Sequence, residues 1–325
     1  MTEDDDEELT YASVGVDIEA SEQATAALVA SVGAFDMDTY AGLLDIGDRY
    51  LGVATDGVGS KLLVAEAIER YNTIGIDCIA MNVNDLVAMG VTPLAFVDYL
   101  AVEAPDDEVA AAIGEGIAAG ATAANIALLG GETAVLPEII SGFDLAGTCV
   151  GLATEEELLP GSAQPGDHLV GVPSSGIHSN GLTLARAAAT KRHAYADPFP
   201  PAPDRSIGEE LLTPTRIYAD LLGPLRTHDV NGVAHITGGG WTNLHRLGEF
   251  EYVIDNPLPA QDVFGFIQAE GNVSDREMHR TFNMGTGLVA AVPPEAAEHL
   301  ADSVSGQVIG TVTEGNGVKI RDLTL

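Results

Sequence analysis

The stretch from Tyr50 to Tyr99 constrains the fold most, because carboxylates recur there wherever apolar segments run into glycine turns. Tyr50-Leu51-Gly52-Val53-Ala54 is short and apolar and predicts a strand. It runs into Thr55-Asp56-Gly57-Val58-Gly59-Ser60-Lys61, a turn in which glycines alternate with other residues. Residues 75–90 have helical spacing, with Ile76, Ile79, Val83, Leu86 and Val87 on one stripe. Asp85 lies opposite, yet among Cys78, Met81 and Met89, so the helix is apolar nearly all round and predicted to be buried. A bare carboxylate there costs several kcal/mol, so Asp85 needs a cation or donors. Capping a neighbouring loop and binding a metal both meet that need. Pro93 and Leu94 to Val97 then lead to Asp98.

The rest of the chain repeats this alternation. A helix is expected from about Ser21 to Val32, preceded by Asp17, and another follows Pro105-Asp106-Asp107 to about Ala124. Ile126 to Leu129 reads as a strand delivering the turn Gly130-Gly131-Glu132-Thr133. Glu155 to Gly166, with three consecutive glutamates, Pro160 and Pro165, is the expected domain boundary. This divides the chain into an acidic tail (1–9), an N-terminal domain (10–160) and a C-terminal domain (161–325). Beyond it, His168 to Val172 is a strand leading into Ser174-Ser175-Gly176-Ile177-His178-Ser179-Asn180-Gly181. Leu182 to Thr190 is a helix, and Asp197 to Asp204, with four prolines, a surface connection. Val233 to Ile236 is a strand ending at Thr237-Gly238-Gly239-Gly240, with a helix from Trp241 to Leu247. Strands alternating with helices in both halves predict an α/β or α+β fold of mixed sheets flanked by helices.

Charge narrows the function. With 49 acidic against 14 basic residues, the formal net charge is −35. Such a surface repels nucleic acid and anionic lipid, which argues against both as partners. Acids spread along the chain without calcium-loop spacing, together with few lysines, point to a halophilic cytoplasmic enzyme. Salt would screen its self-repulsion, the Debye length falling from ~10 Å at 0.1 M to ~3 Å at 1 M. Cys78 and Cys149 form no CxxC pair, which fits a reducing compartment. The acidic run Glu3 to Glu8 is opposite in charge to a secretory leader, and no stretch is apolar enough for a membrane span.

Asp56 and Glu132 each follow a short strand at a glycine turn, where ligands bind in open α/β layers. With Asp85 they would suit a hard cation such as Mg2+, which takes one or two carboxylates plus phosphate oxygens. Lys61 would neutralise phosphate charge; a solvated lysine at a helix start is the plainer reading. The segment is not a Walker loop, since Lys61 precedes Leu62. In the second half, backbone N–H groups at Ser174 to Gly181 and Thr237 to Gly240 could cradle phosphate. His178 and His235 sit on these turns and are candidates for proton transfer or phosphate contact, packing being the alternative.

Together these segments resemble the phosphoribosylformylglycinamidine cyclo-ligase (AIR synthetase) family. The resemblance rests on Thr55 to Lys61, Asn84-Asp85-Leu86-Val87 with Gly90 and Pro93, Gly130 to Ala134, and Ser174 to Gly181. Leu212 to Tyr218, His235 to Gly240 and Thr281-Phe282-Asn283-Met284-Gly285 agree. The similarity extends from about Leu9 to the C-terminus. There are two departures: Ala12 stands where the family usually has a lysine that approaches ATP, and Val91 replaces an alanine. The role of that lysine is then either absent or met by another group, for which Lys61 is a candidate.

The resemblance implies a two-domain, AIR-synthetase-like architecture whose N-terminal domains pair in a homodimer. It also implies ATP-dependent closure of formylglycinamidine ribonucleotide to aminoimidazole ribonucleotide. Phosphorylating a poor amide leaving group would give an iminophosphate that an internal amidine nitrogen attacks. It places Asp56, Asp85 and Glu132 at Mg2+, with K+ as a further ion. Asp17, Asp56, Gly57, Gly59, Lys61, Asp85, Gly130, Gly131 and Gly238 to Gly240 would meet ATP, with Asp98 as a further candidate. Ser175, His178, Ser179, Asn180, Thr215 and Arg216 would meet the nucleotide substrate, and Lys61, His178 and His235 would serve catalysis. Alternatives are the synthetase acting on the preceding formylglycinamide nucleotide and a non-catalytic nucleotide-binding paralogue. The Cys expected of a selenophosphate synthetase in its N-terminal segment, and that expected of the hydrogenase-maturation relative at its end, are both missing.

Overall fold

The structure, a computed structural model, describes residues 8–16, 18–32 and 39–325. Asp17 and the first seven residues of the acidic tail therefore lie outside the described residues. The first half contains α1 (Ile18–Val32), β1 (Gly42–Asp45), β2 (Tyr50–Gly57), α2 (Leu62–Ala67), α3 (Ile74–Ala88) and β3 (Thr92–Val102). It continues with α4 (Asp107–Ala124), β4 (Ala127–Val135) and β5 (Phe143–Ala153). The second half opens with β6 (His168–Pro173), α5 (Leu182–Thr190), β7 (Pro198–Phe199), β8 (Ala202–Ser206), α6 (Ile207–Leu211), α7 (Leu222–Thr227) and β9 (Gly232–His235). It closes with β10 (Glu251–Ile254), α8 (Asp262–Gly271), α9 (Asp275–Thr281), β11 (Thr286–Val292), α10 (Pro294–Ser303), β12 (Gln307–Thr313), β13 (Gly317–Ile320) and β14 (Leu323–Thr324).

Each half is built on one sheet. The first has the order β1-β2-β5-β3-β4, in which only β3 and β4 run parallel, joined through α4. The second has the order β14-β13-β10-β12-β6-β11-β9, with β10 and β13 its parallel pair. Helix α3 is buried at thirteen positions from Ile74 to Ala88 and packs on α4. That approach needs glycine: a Cβ at Gly75 would run into the backbone of α4, and one at Gly116 into the Asn72 carbonyl just before α3. Helix α4 starts at Asp106, whose side chain accepts the N–H groups of Glu108 and Val109, and ends at Asn125 in the left-handed region.

One hydrophobic core spans both halves, from Ala54, Ile79 and Phe96 to Leu184 and Leu288. A second, containing Trp241, Leu258 and Val289, covers the opposite face of the seven-stranded sheet. Alternation along β11 shows the two-sidedness, Leu288 and Ala290 facing one core while Val289 and Ala291 face the other.

Several elements differ from expectation. Gly130 to Thr133 lies within β4 rather than in a turn, because its backbone continues to pair with β3 through Val135. The proline-rich segment holds the short pair β7–β8. Residues 240–247 form a 3-10 helix entered through Gly239 and Gly240, both at positive φ.

Candidate functional site

The site is assembled from the inward face of the first sheet, the buried helix α3 and two turns of the second half. On β2, Ala54 and Asp56 point inward; on β3, Phe96 and Asp98 do so. Asp56 pairs with Gly147 on β5, and Gly147 pairs with Asp98 on β3, which pairs with Gly131 on β4. Two carboxylates thus stand in one row with glycines between and beside them, their strands about 10 Å apart across two strand spacings. A Cβ at Gly131 would strike the Asp98 carboxylate, so that glycine is what leaves room for the acid.

Asp85 comes to the same place from α3. Its Oδ1 lies 2.8 Å from Nδ1 of His235, the last residue of β9. A carboxylate can only accept, so Nδ1 carries a hydrogen, and the buried Nε2 has no partner. The Tyr40 hydroxyl donates to the His235 carbonyl at 3.3 Å and helps to hold the residue. Asp56 feels this group: burial first and the Asp85 charge second push its carboxyl up to about 6, against the Gly57 N–H that it accepts at 2.7 Å.

His178 has a complementary state. Its Nε2 accepts the Ser175 N–H at 3.2 Å, so Nδ1 carries the hydrogen and is buried without a partner. Burial, then the charges of His235, Lys61 and Arg216, holds its pKa well below the usual value, so the ring is neutral. Asn180 reaches Met81 of α3 with its amide nitrogen, and the exposed Gly238 lies beside the Asn180 oxygen. Asn84 ties the halves together, donating to the Arg216 carbonyl at 2.9 Å and accepting the Tyr218 N–H at 2.8 Å.

Three assignments need correction. Lys61 is fully buried, and its ammonium donates to Asp77 Oδ1 at 2.8 Å, the His178 carbonyl at 3.1 Å and the Thr213 carbonyl at 2.7 Å. Its three N–H groups are engaged, which leaves none for phosphate and none to replace the lysine missing at Ala12. Thr215 is committed to the same knot, both its N–H and its hydroxyl donating to Asp77 Oδ1. Glu132 pairs with Tyr99 in the neighbouring row, so it projects from the outer face of the sheet, away from Asp56 and Asp98. The three acids Asp56, Asp85 and Glu132 therefore do not converge within one chain, and no cluster of three or more metal-ligating side chains occurs among the described residues.

The other predicted residues fall around the cleft. Ser175 donates to the Pro214 carbonyl at 2.6 Å, and Ser179 is 3.5 Å from the Thr215 hydroxyl. Arg216 lies 5.0 Å over the Tyr218 ring and donates to the Pro173 carbonyl, which leaves most of its N–H groups open. Gly57 closes β2, Gly59 turns the chain at φ 69°, Gly130 has φ 137°, and Gly239 and Gly240 have φ 90° and 55°. Asp77, which the sequence reading passed over, is the organiser of the Lys61 knot; an acid in the first turn of a helix apolar nearly all round was its signal.

Residues 38–153 match the N-terminal domain of AIR synthase related proteins, and residues 164–322 match the C-terminal domain. The chain belongs to the AIR synthase related family. It is 47% identical to the phosphoribosylformylglycinamidine cyclo-ligase of Methanosarcina barkeri, over 98% of each chain. With that of Thermococcus kodakarensis the identity is 44%, over 96% of this chain and 100% of the relative. Among solved structures, AaThiL complexed with AMPPCP and TMP superposes with a TM-score of 0.71 at 16% identity, over 95% of this chain and 96% of that one. The two-sheet architecture is thus that of the family. No helix among the described residues is long and apolar enough to cross a membrane.

Proposed function

We propose that the chain catalyses ATP-dependent closure of formylglycinamidine ribonucleotide to 5-aminoimidazole ribonucleotide, with ADP and phosphate, in purine biosynthesis. Identity of 47% over almost the full length of a cyclo-ligase carries this reading. The cleft supplies what the chemistry demands. Transfer of the ATP γ-phosphoryl group to the amide oxygen makes an iminophosphate; attack by the amidine nitrogen closes the ring and expels phosphate. In its neutral form His235 would take, at Nε2, the proton that the attacking nitrogen loses, and Asp85 would hold the ring with its hydrogen on Nδ1. His178 offers Nδ1–H to an oxygen of substrate or phosphoryl group, and Arg216 takes the ribose phosphate.

A divalent ion would be held by Asp56, whose carboxyl is raised by burial and a neighbouring acid, or by Asp98 in the same row, with nucleotide phosphates completing its shell, since the Phe96 ring fills the space over Gly147 between the two acids. Bound there with nucleotide phosphates, Mg2+ would neutralise charge on the transferring group. Asp85 belongs to His235 in this reading rather than to the metal, and K+ serves as bulk counter-ion.

The outer face of the first sheet is apolar, with Val53 at 37%, Val97 at 41% and Tyr99 at 44% exposure. On so acidic a chain such a face suits a second copy of itself, paired about a two-fold axis. We read the protein as a homodimer of a salt-adapted cytoplasm. The test is product formation from formylglycinamidine ribonucleotide and ATP in molar potassium chloride without any ammonia donor. Folded protein that makes no ADP under those conditions refutes the cyclo-ligase reading; a demand for ammonia or glutamine would favour the preceding synthetase.

A further inference from the structure

A second cavity, of about 460 Å³, opens in the C-terminal half on the side of the seven-stranded sheet away from His235. Its apolar wall includes Leu258, Pro259 and Met284, and its polar groups are Trp241, Asn256, His279, Gln307 and Arg321. No acid lines it, in a chain with 49 acids. Ion pairs of the described lysines and arginines engage Lys61, Arg70, Arg192, Arg205, Arg226 and Lys319, and none engages Arg321. The Arg321 charge acts instead on His279. Trp241 is fully buried, and its indole N–H has no partner. A buried donor left unpaired is costly, and a ligand acceptor would satisfy it.

The remaining polar groups are acceptors. His279 Nδ1 bonds the Asp275 carbonyl at 2.8 Å and so carries the hydrogen, which leaves Nε2 with a lone pair. The Asn256 amide nitrogen donates to the Val308 carbonyl and the Gln307 amide nitrogen to the Asn256 carbonyl, so both side-chain oxygens are free to accept. The motif Thr281 to Gly285 shapes the wall: Met284 has φ 47°, and a Cβ at Gly285 would meet the Pro259 carbonyl at 2.7 Å.

We propose that this cavity binds a small hydroxylated phosphomonoester, of the class of sugar phosphates and nucleoside monophosphates. A phosphate has three terminal oxygens and can meet the Arg321 fork and the Trp241 N–H together. Hydroxyl groups of the body would donate to His279, Asn256 and Gln307, and its carbon skeleton would lie on Leu258, Pro259 and Met284.

Trp241 is the single tryptophan of the chain and lines this cavity, so its fluorescence responds to what binds there. Ribose 5-phosphate, AMP and inorganic phosphate are titrated into the full-length protein at the salt that keeps it folded, with heat measured on the same samples. The expected result is a saturable fluorescence change with the two organic phosphates. Arg321→Gln should weaken it at least tenfold without moving the melting temperature, whereas Arg216→Gln in the cleft should leave it intact. Gln307→Leu should weaken ribose 5-phosphate but not inorganic phosphate. Absence of both heat and fluorescence change overturns the proposal. So does a response untouched by Arg321→Gln, one lost on Arg216→Gln, or inorganic phosphate binding as tightly as ribose 5-phosphate.

Discussion

Asp56→Asn should make the protein more stable and less able to bind its nucleotide, and the size of the first effect follows from the site. The Asp56 carboxyl is raised from 3.8 to about 6 in the folded chain, chiefly by burial and secondarily by Asp85. Between those values the native state holds a proton that the unfolded state has lost, so stability falls as pH rises through the window. At about 1.4 kcal/mol per pKa unit, ionised Asp56 costs the native state up to about 3 kcal/mol above pH ~6, roughly half of it appearing between pH ~5 and pH ~8. Molar salt screens the repulsion from Asp85 but not the loss of hydration, which is the larger cause. Asparagine keeps the oxygen that accepts the Gly57 N–H and never carries the charge. Urea unfolding in molar potassium chloride should therefore show the variant to be about 1–3 kcal/mol more stable than wild type at pH ~8, and less so at pH ~5. Adding Mg2+ and ATP should reverse the ranking, because ligand stabilises only the chain that binds it. An advantage independent of pH, or a variant weaker than wild type at both values, would refute the reasoning.

Lys61→Met should lower stability by about 3–5 kcal/mol in urea unfolding, because it strands a buried Asp77; Lys61→Met with Asp77→Leu should recover part of that loss. If Lys61→Met lost only activity, the structural role would be wrong. Asp85→Asn should reduce kcat at least a hundredfold with little change in KM for ATP and should shift the pH profile, since the amide no longer fixes the His235 tautomer; an equal rise in KM for ATP would return Asp85 to the metal. Val97→Asp should halve the mass seen by sedimentation at micromolar concentration. A wild type that sediments as a monomer would remove the homodimer.

Much of the fold was legible because apolar periodicity and turn residues agree with the tertiary packing. The buried α3, the strand before Asp56 and α5 fall close to where spacing places them. Roles that depend on partners far along the chain were not legible. Lys61 looked like a phosphate ligand because it follows a glycine turn, yet its partners Asp77 and Thr213 are 16 and 152 residues away. The pairing of Asp85 with His235 spans 150 residues and carries no local signature. The charged surface was obvious from composition, but the acid-free cavity beside Trp241 emerges only when β10, α9 and the C-terminal strands are brought together.

The acids show most sharply why the site resisted reading. Asp98 and Glu132 both lie on strands beside glycines, and nothing local separates a ligand-facing carboxylate from one on the opposite face. What separates them is parity: β3 and β4 pair Asp98 with Gly131 and Tyr99 with Glu132, so a single step along the strand moves a carboxylate through the sheet. The bulge at Leu129 on β4, opposite Phe96 and Val97, resets that parity along β4. Position after a strand is therefore a weak guide to which acids meet, whereas register decides it. By register Asp56 and Asp98 share the inner face, where the proposed cation would lie, and Glu132 belongs to the outer face, where a second chain would lie.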